Sequence, residues 1–174
     1  AGNAGLSTTD TANYTIDTLA PTVVITDNQT GTADDAEPTV LYTFTFSEAV
    51  TGFVIDDITV VGGTKGTFTT TSSTVYTLLV TADDNSTTSM TVDVAGTVAI
   101  DGNDNANVAA TQSTQLVDTA NPTVAISMAD TALSVGETTV VTFTFSEVVT
   151  GFAAADVTVA NGAISEPSSS DGGT

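Results

Sequence analysis

The sequence repeats itself, and this internal repeat constrains the fold more than any other feature. Residues 17–25 read DTLAPTVVI, and residues 118–126 read DTANPTVAI. Residues 44–53 read FTFSEAVTGF, residues 143–152 read FTFSEVVTGF, and a DITV or DVTV block follows each of them. The blocks keep their order at an offset of about 100 residues, which indicates structural units arranged in tandem.

The repeat period predicts the domain organisation of the chain. We expect a complete repeat over residues 17–117, the last strand of a preceding repeat in residues 1–16, and the first half of a following repeat in residues 118–174. Pro21 and Pro122 lie just after the two boundaries. Because proline has no amide hydrogen to donate, it stops the strand before it from continuing into the next repeat.

Alternation of apolar and polar residues predicts an all-β fold. No segment keeps the helical period of about 3.6 residues over three turns. Seven short strands, A to G, are predicted at residues 22–26, 40–46, 57–61, 66–71, 75–82, 90–94 and 108–117. Seven short strands separated by turn residues favour a two-sheet antiparallel sandwich of the immunoglobulin type, and strands A to C are expected again after residue 118. The expected core residues are Tyr42, Phe44, Phe46, Tyr76, Leu78, Val80 and Val92.

The blocks DTxxPTV, FTFSExVTGF and D[IV]TV together resemble the bacterial immunoglobulin-like repeats of large surface adhesins and related secreted proteins. The resemblance extends over the whole chain. It implies a β-sandwich, an extracellular location, calcium at the joints between domains in several members, and no catalysis. Stalk, spacer and surface-layer roles all occur in such proteins, so the resemblance leaves the exact role open.

The charge and residue composition excludes several classes of partner. Lys and Arg together number 1 against 21 Asp and Glu, which gives a net charge of −20. This charge excludes nucleic acid as an expected partner, because phosphate binding requires clustered cations. It also argues against docking on anionic lipid. The absence of Cys excludes a disulfide, and the absence of His and Cys argues against zinc. No membrane insertion is expected, because no apolar run of about 18 residues occurs, and residues 1–10 lack the features of a signal peptide.

The acidic residues concentrate where domains are expected to join. Strands that alternate in direction bring the incoming linker, the B–C loop and the F–G loop to one pole of the sandwich. The candidate ligands there are Asp17, Glu48, Asp56, Asp57, Asp101, Asn103 and Asp104, with Asp118, Glu147 and Asp156 at the start of the following repeat. Calcium takes about six to eight oxygen ligands from such groups, so the sequence predicts a Ca²⁺ site at the joint. The alternative interpretation is that these acids only solvate loops.

The sequence therefore predicts a spacer or stalk module of a long secreted or surface-anchored bacterial protein. Its expected partners are neighbouring repeats of the same chain and, in a fibre, other chains. The alternatives are a surface-layer or filament subunit with lateral contacts and an ancillary domain of a secreted polysaccharide-degrading enzyme. The chain itself is not expected to be an enzyme. Glu48 and Asp57 lie at a domain end without an aromatic cleft, and Ser47 and Ser146 have no His to activate them.

Overall fold

The computed structural model of the protein describes residues 16–169 and divides into two compact units, with the division after Thr119. The strand expected from a preceding repeat falls on residues 1–16, of which all but Ile16 lie outside the described residues. The regular elements of residues 16–169 are β-strands and two short 3₁₀ turns. The all-β fold class predicted from the sequence is confirmed.

The first unit is a sandwich of two antiparallel sheets. Its strands are, in chain order, β1 (Val23–Asp27), β2 (Ala33–Asp34), β3 (Thr39–Phe46), β4 (Ile58–Val61), β5 (Gly63–Thr70), β6 (Val75–Ala82), β7 (Met90–Val94), β8 (Ser113–Gln115) and β9 (Val117–Asp118). One sheet has the order β1-β3-β6-β5, and the other has the order β4-β7-β8. In immunoglobulin letters these are the A-B-E-D and C-F-G sheets.

The core lies between the two sheets and follows from the alternation along the strands. On β3 the side chains of Val40, Tyr42, Phe44 and Phe46 are buried, while those between them are half-buried or exposed. The same alternation on β6 extends this buried face within the sheet, and the alternation on β7 supplies facing residues from the other sheet. All of the core residues predicted from the sequence are buried: Tyr42, Phe44, Phe46, Tyr76, Leu78, Val80 and Val92.

The repeated block FTFSExVTGF forms the turn from strand B towards strand C. The ring of Phe53 packs on Phe44 and Phe46, with centroids 5.7 and 5.1 Å away. Gly52 supplies the positive φ of 88° that returns the chain to the core, a conformation glycine adopts without a steric penalty. These contacts explain why the three Phe positions and the Gly position of the block recur in the repeat.

The C-terminal strand of the first unit differs from the prediction. A single strand G was expected over residues 108–117, but the structure has the short strands β8 and β9 there, and residues 108–112 form no strand. The Val108 amide donates instead to the carbonyl oxygen of Pro21 at 2.9 Å. β9 pairs in parallel with β2, a strand the sequence did not predict. This part of the prediction was wrong because the pairing partners are distant in sequence.

The second unit contains the hairpin of β10 (Val124–Met128) and β11 (Val141–Phe145), followed by a 3₁₀ turn at Ala154–Asp156. It repeats the β1–β3 pairing of the first unit in the same register. The predicted third strand is not formed by residues 157–159. In the first unit the corresponding strand β4 pairs with β7. Residues 120–169 include no counterpart of β7, so the backbone there has no neighbour with which to pair.

Candidate metal site

Three carboxylates from three separate segments meet at one pole of the first unit. Asp17 lies before β1, Glu48 follows β3, and Asp101 lies between β7 and β8. Each offers a carboxylate oxygen, and these oxygen atoms all lie within 4.8 Å of one another. The strand directions bring the linker, the B–C loop and the F–G loop together, as the sequence analysis anticipated for this pole.

The B–C and F–G loops are joined by backbone hydrogen bonds. The amide of Thr51 donates to the carbonyl oxygen of Ile100 at 2.8 Å, and the amide of Ile100 donates to that of Thr51 at 3.1 Å. Ile100 also bridges to Ala106 across the F–G loop. Glu48 and Asp101 each lie close to this bridge in sequence, so the pairing fixes the separation of their backbones.

The F–G loop is wound around the side chain of Asp101, which is only 4% exposed. One carboxylate oxygen accepts the amide hydrogens of Asn103 at 2.7 Å and Asn105 at 2.9 Å. The other accepts a hydrogen bond from Nδ2 of Asn105 at 2.9 Å. The Asn105 side chain is the largest influence that lowers the pKa of Asp101, with the two backbone hydrogen bonds acting in the same direction against the effect of burial. Asp101 is therefore held ionised.

Asn107 ties the base of the F–G loop and is 2% exposed. Its Oδ1 accepts the amide hydrogens of Val98 and Ala99, both at 2.9 Å. Its Nδ2 donates to the carbonyl oxygens of Ala95 at 3.0 Å and Val108 at 2.9 Å. The sequence does not predict the role of Asn107, because an Asn in a loop rich in Asn carries no signal of burial.

The F–G loop also holds the incoming segment. Nδ2 of Asn103 donates to a carboxylate oxygen of Asp17 at 3.1 Å, and Nδ2 of Asn105 donates to the Asp17 carbonyl oxygen at 3.2 Å. The other carboxylate oxygen of Asp17 accepts the amide hydrogen of Leu19 at 3.0 Å. Asp17 is thus oriented towards Asp101 by the two asparagines of the loop.

The electrostatics of the cluster disfavour the ionised form of Glu48. Desolvation is the largest influence that raises the pKa of Glu48, and the negative charges of Asp101 and Asp17 raise it further. Lys65 is the single basic residue of the sequence, and its Nζ donates to the carbonyl oxygen of Ile55 at 3.0 Å. The carboxylates are therefore drawn together by the fold against their mutual repulsion.

Other predicted ligands of the complete repeat lie outside this group of three. The carboxylate of Asp57 accepts the amide hydrogen of Val54 at 2.8 Å and so closes the 3₁₀ turn at Ile55–Asp57. In the second unit the carboxylate of Asp156 likewise accepts the amide hydrogen of Ala153 at 3.0 Å. This shared contact gives a structural reason for the acid that begins each DITV or DVTV block.

Asp56, Asn103 and Asp104 occupy other places. Asp56 lies within the 3₁₀ turn beside Asp57 and is exposed. Asn103 contacts Asp17, as described above. Asp104 is an exposed residue of the F–G loop with a positive φ of 65°.

The predicted ligands of the following repeat fall in different units. Asp118 belongs to β9 of the first unit, beside Asp34 in the parallel pair, and is exposed. Glu147 follows β11 in the second unit and is also exposed. They correspond in the repeat to Asp17 and Glu48. A counterpart of Asp101, at the same offset of about 100 residues, would come after residue 174.

The serines of the repeated block have a structural role. The hydroxyl of Ser47 accepts the amide hydrogen of Thr22 at 3.0 Å. Ser146 accepts that of Thr123 at 2.9 Å. In both units the serine ties the end of strand B to the start of strand A.

Comparison with protein families supports the resemblance stated from the motifs. A family model described as bacterial Ig-like domain matches residues 17–117 and again residues 118–174. Domains of this family are typically non-catalytic structural modules that occur in extracellular or surface proteins. No match was found among curated proteins or among solved structures.

A search of residues 16–169 found no helix long and apolar enough to cross a membrane.

Proposed function

Because the chain belongs to the family of bacterial Ig-like domains, we propose that it is a spacer module of a long extracellular adhesin or surface fibre, with calcium-stiffened joints between its repeats. Repeats in series that contact their neighbours give an extended array, which is what a spacer requires. The observation that carries the calcium part is the group of three carboxylates formed by Asp17, Glu48 and Asp101.

The fold brings these three negative charges together without a neutralising side chain. Desolvation is the largest influence that raises the pKa of Glu48, and repulsion by the charges of Asp101 and Asp17 raises it further. A divalent cation reverses the sign of the interaction, because each carboxylate then faces a positive charge.

The donor set fits calcium better than other metals. The ligands that the group offers are carboxylate oxygens. Calcium accepts about six to eight such oxygens in flexible geometry, whereas magnesium retains several waters and requires a strict octahedron. Zinc favours His and Cys, and this sequence contains neither. Asp17, Glu48 and Asp101 would hold the ion, which supplies fixed positive charge and no redox chemistry.

The position of Asp17 explains how such an ion would stiffen a joint. Asp17 lies in the linker before β1, whereas Glu48 and Asp101 belong to loops of the sandwich that follows. An ion held by all three fixes the linker to the repeat. Binding to the ordered state alone also stabilises that state, by about 2.7 kcal/mol when free calcium is 100 times the dissociation constant.

An extended chain tests the proposal. The extended chain carries a second copy of residues 17–116, inserted immediately before Ile16. Ile16 then follows Leu116 of the inserted copy, just as Val117 follows Leu116 in the 174-residue chain. Small-angle scattering and thermal melting are measured with calcium and with a chelator. We expect calcium to narrow the distribution of interdomain distances and to raise the melting temperature.

Substitutions identify the responsible site. Asp17→Asn with Glu48→Gln at the joint between the two complete repeats should abolish the calcium effect on interdomain distances. The rise in melting temperature should then be confined to the added repeat, which keeps its own Asp17, Glu48 and Asp101. The matched control is Asp118→Asn with Glu147→Gln, which changes the same motif positions where the counterpart of Asp101 is not in the chain. Scattering and melting that are indifferent to chelator would show that these acids are only solvated loop residues.

A further inference from the structure

The segment Val117–Thr119 is docked on the first unit through Thr119, which is 2% exposed. The Thr119 hydroxyl donates to the carbonyl oxygen of Asp83 at 2.7 Å and accepts the amide hydrogen of Ser86 at 3.0 Å. The Thr119 amide donates to the Ser86 carbonyl oxygen at 2.9 Å. Asp83 and Ser86 belong to the E–F loop, between β6 and β7. One threonine therefore closes this loop with both functions of its hydroxyl group.

Val117 completes the docking. Its side chain is 5% exposed and belongs to the core of the first unit. As part of β9 it pairs in parallel with Ala33 on β2. The sequence Val-Asp-Thr at this boundary is thus bound by two elements of the preceding sandwich, β2 and the E–F loop.

The same three positions recur at the other boundary with the opposite exposure. Ile16-Asp17-Thr18 aligns with Val117-Asp118-Thr119 in the repeat. Ile16 is 83% exposed, whereas Val117 is 5% exposed, and Thr18 is exposed where Thr119 is buried. The segment before the complete repeat therefore presents to solvent the side chains that its counterpart uses for docking.

The Asp position, in the middle of these three, makes its contacts with the repeat that follows it. Asp17 is held by Asn103 and Asn105 of the F–G loop of the repeat that follows it. Thr119 is held by the E–F loop of the repeat that precedes it. The Asp position at one boundary therefore contacts the repeat after it, and the Thr position at the other boundary contacts the repeat before it.

We propose that Ile16 and Thr18 form an interaction surface for a preceding Ig-like repeat, whose E–F loop receives the Thr18 hydroxyl as Asp83 and Ser86 receive that of Thr119. The partner is a sandwich with a short β2-like strand for the apolar side chain and an E–F loop with a free carbonyl and amide for the hydroxyl. The inference rests on the proposed function in one respect, that repeats follow one another in series. It does not depend on calcium.

Amide hydrogen exchange on the extended chain defined above tests this surface. The amide of Ser86 in the added repeat reports whether Thr18 is docked, because in the first unit that amide is bonded to Thr119 Oγ1. We expect Thr18→Val to accelerate its exchange about tenfold or more, as the loop loses its hydroxyl partner. Thr18→Ser, which keeps the hydroxyl, should retain most of the protection.

The 174-residue chain supplies the matched controls. There Thr119→Val should expose the Ser86 amide, and Thr18→Val should leave it unchanged. In the extended chain, loss of protection throughout the added repeat on Thr18→Val also supports the proposal, because Thr18 belongs to the next repeat. Unchanged exchange of the added repeat's Ser86 with Thr18→Val would overturn it.

Measurements with calcium and with chelator separate this inference from the proposed function. A Thr18 effect that persists in chelator is the expected result. If calcium changes neither shape nor melting but Thr18→Val still exposes the loop, the calcium proposal fails and the docking surface stands. If calcium stiffens the joint and Thr18→Val is without effect, the calcium proposal stands and the docking surface fails.

Discussion

The two copies of the block FTFSExVTGF fold alike locally and differ in burial. In both units two phenylalanines of strand B contact the phenylalanine after the turn, with Phe46 and Phe53 5.1 Å apart and Phe145 and Phe152 also 5.1 Å apart. The serine tie and the 3₁₀ cap described above recur too. Yet Val23 is 6% exposed in the first unit, and its counterpart Val124 is 48% exposed in the second.

This difference in burial separates the features that nearby residues determine from the burial that strands distant in sequence provide. Hairpin register, the glycine turn and the capping acid arise from residues close together in the chain, so both units have them. The core of the first unit requires β6, which extends the sheet of strands A and B, and β7 of the other sheet, which packs on the inner face of that sheet. Most of the free energy of folding of such a sandwich is therefore expected to depend on contacts distant in sequence.

The largest expected effect concerns the isolated segment of residues 118–174. A two-stranded hairpin with an uncovered apolar face is marginally stable in water. We expect this peptide to show no cooperative thermal transition by circular dichroism, whereas the 174-residue chain shows one. A sharp cooperative melt of the isolated segment would contradict the comparison.

A pair of equivalent substitutions measures the contribution of the covering strands. Phe44 is fully buried, so Phe44→Ala should lower the free energy of unfolding of the first unit by about 3–5 kcal/mol. Phe143 is the same position in the second unit and is half-buried. In urea denaturation of the whole chain, Phe143→Ala should change the main transition little. A loss below about 1 kcal/mol for Phe44→Ala would mean that this core is wrongly described.

A substitution in the F–G loop is expected to lower the free energy of unfolding by a smaller amount. Asn107→Ala removes the partner of two backbone amides and two carbonyl groups, and we expect a loss of about 2–3 kcal/mol in urea denaturation. Asn28→Ala is the matched control, because Asn28 accepts one exposed amide hydrogen bond, from Leu41. It should cost about 1 kcal/mol. Equal losses would indicate that Asn107 has no special role in the loop.

The smallest expected effect is the pH dependence of the cluster. Because the folded state raises the pKa of Glu48 above its ordinary 4.5, ionised Glu48 opposes folding, and this opposition grows as the pH rises through the shifted pKa. In calcium-free buffer Glu48→Gln should therefore melt higher than wild type near neutral pH, with the difference shrinking towards pH 4.5.

Asp101 gives the opposite sign. Its pKa is lowered from 3.8, so its contribution to stability is present above that pH and is lost as the pH falls through the lowered pKa. Asp101→Asn should lower the melting temperature at neutral pH and have little effect in strong acid. If the wild type melts higher than Asp101→Asn by the same amount at every pH, ionisation of Asp101 is excluded as the cause of the difference.

Much of the first sandwich could be predicted from the sequence, because strands with one buried face alternate. The strands at Val75–Ala82 and Met90–Val94 have the predicted bounds. The parallel pairing of Ala33 with Val117 could not be predicted, since a two-residue strand has no pattern. The missing strand in residues 157–159 has the same origin, because the sequence DVTV favours a strand that forms only beside a partner.

For the candidate site, topology alone indicated that Asp17, Glu48 and Asp101 would share a pole. It could not distinguish them from Asp57, whose carboxylate caps a local turn. Residues that act through buried hydrogen bonds, such as Asn107 and Thr119, were also missed. Polar residues in loops carry no pattern of burial, and the recurrence of Asp-Thr at both boundaries was the available signal for Thr119.

The most direct test of calcium binding at the three carboxylates is a calorimetric titration of the 174-residue chain with calcium. We predict binding in the range of about 10⁻⁴–10⁻³ M, which is the range of extracellular calcium-binding modules. Glu48→Gln should abolish the binding heat, and Glu147→Gln, the same motif position in the second unit, should leave it unchanged. No binding by the wild-type chain, or equal binding by the wild type and Glu48→Gln, would contradict the account.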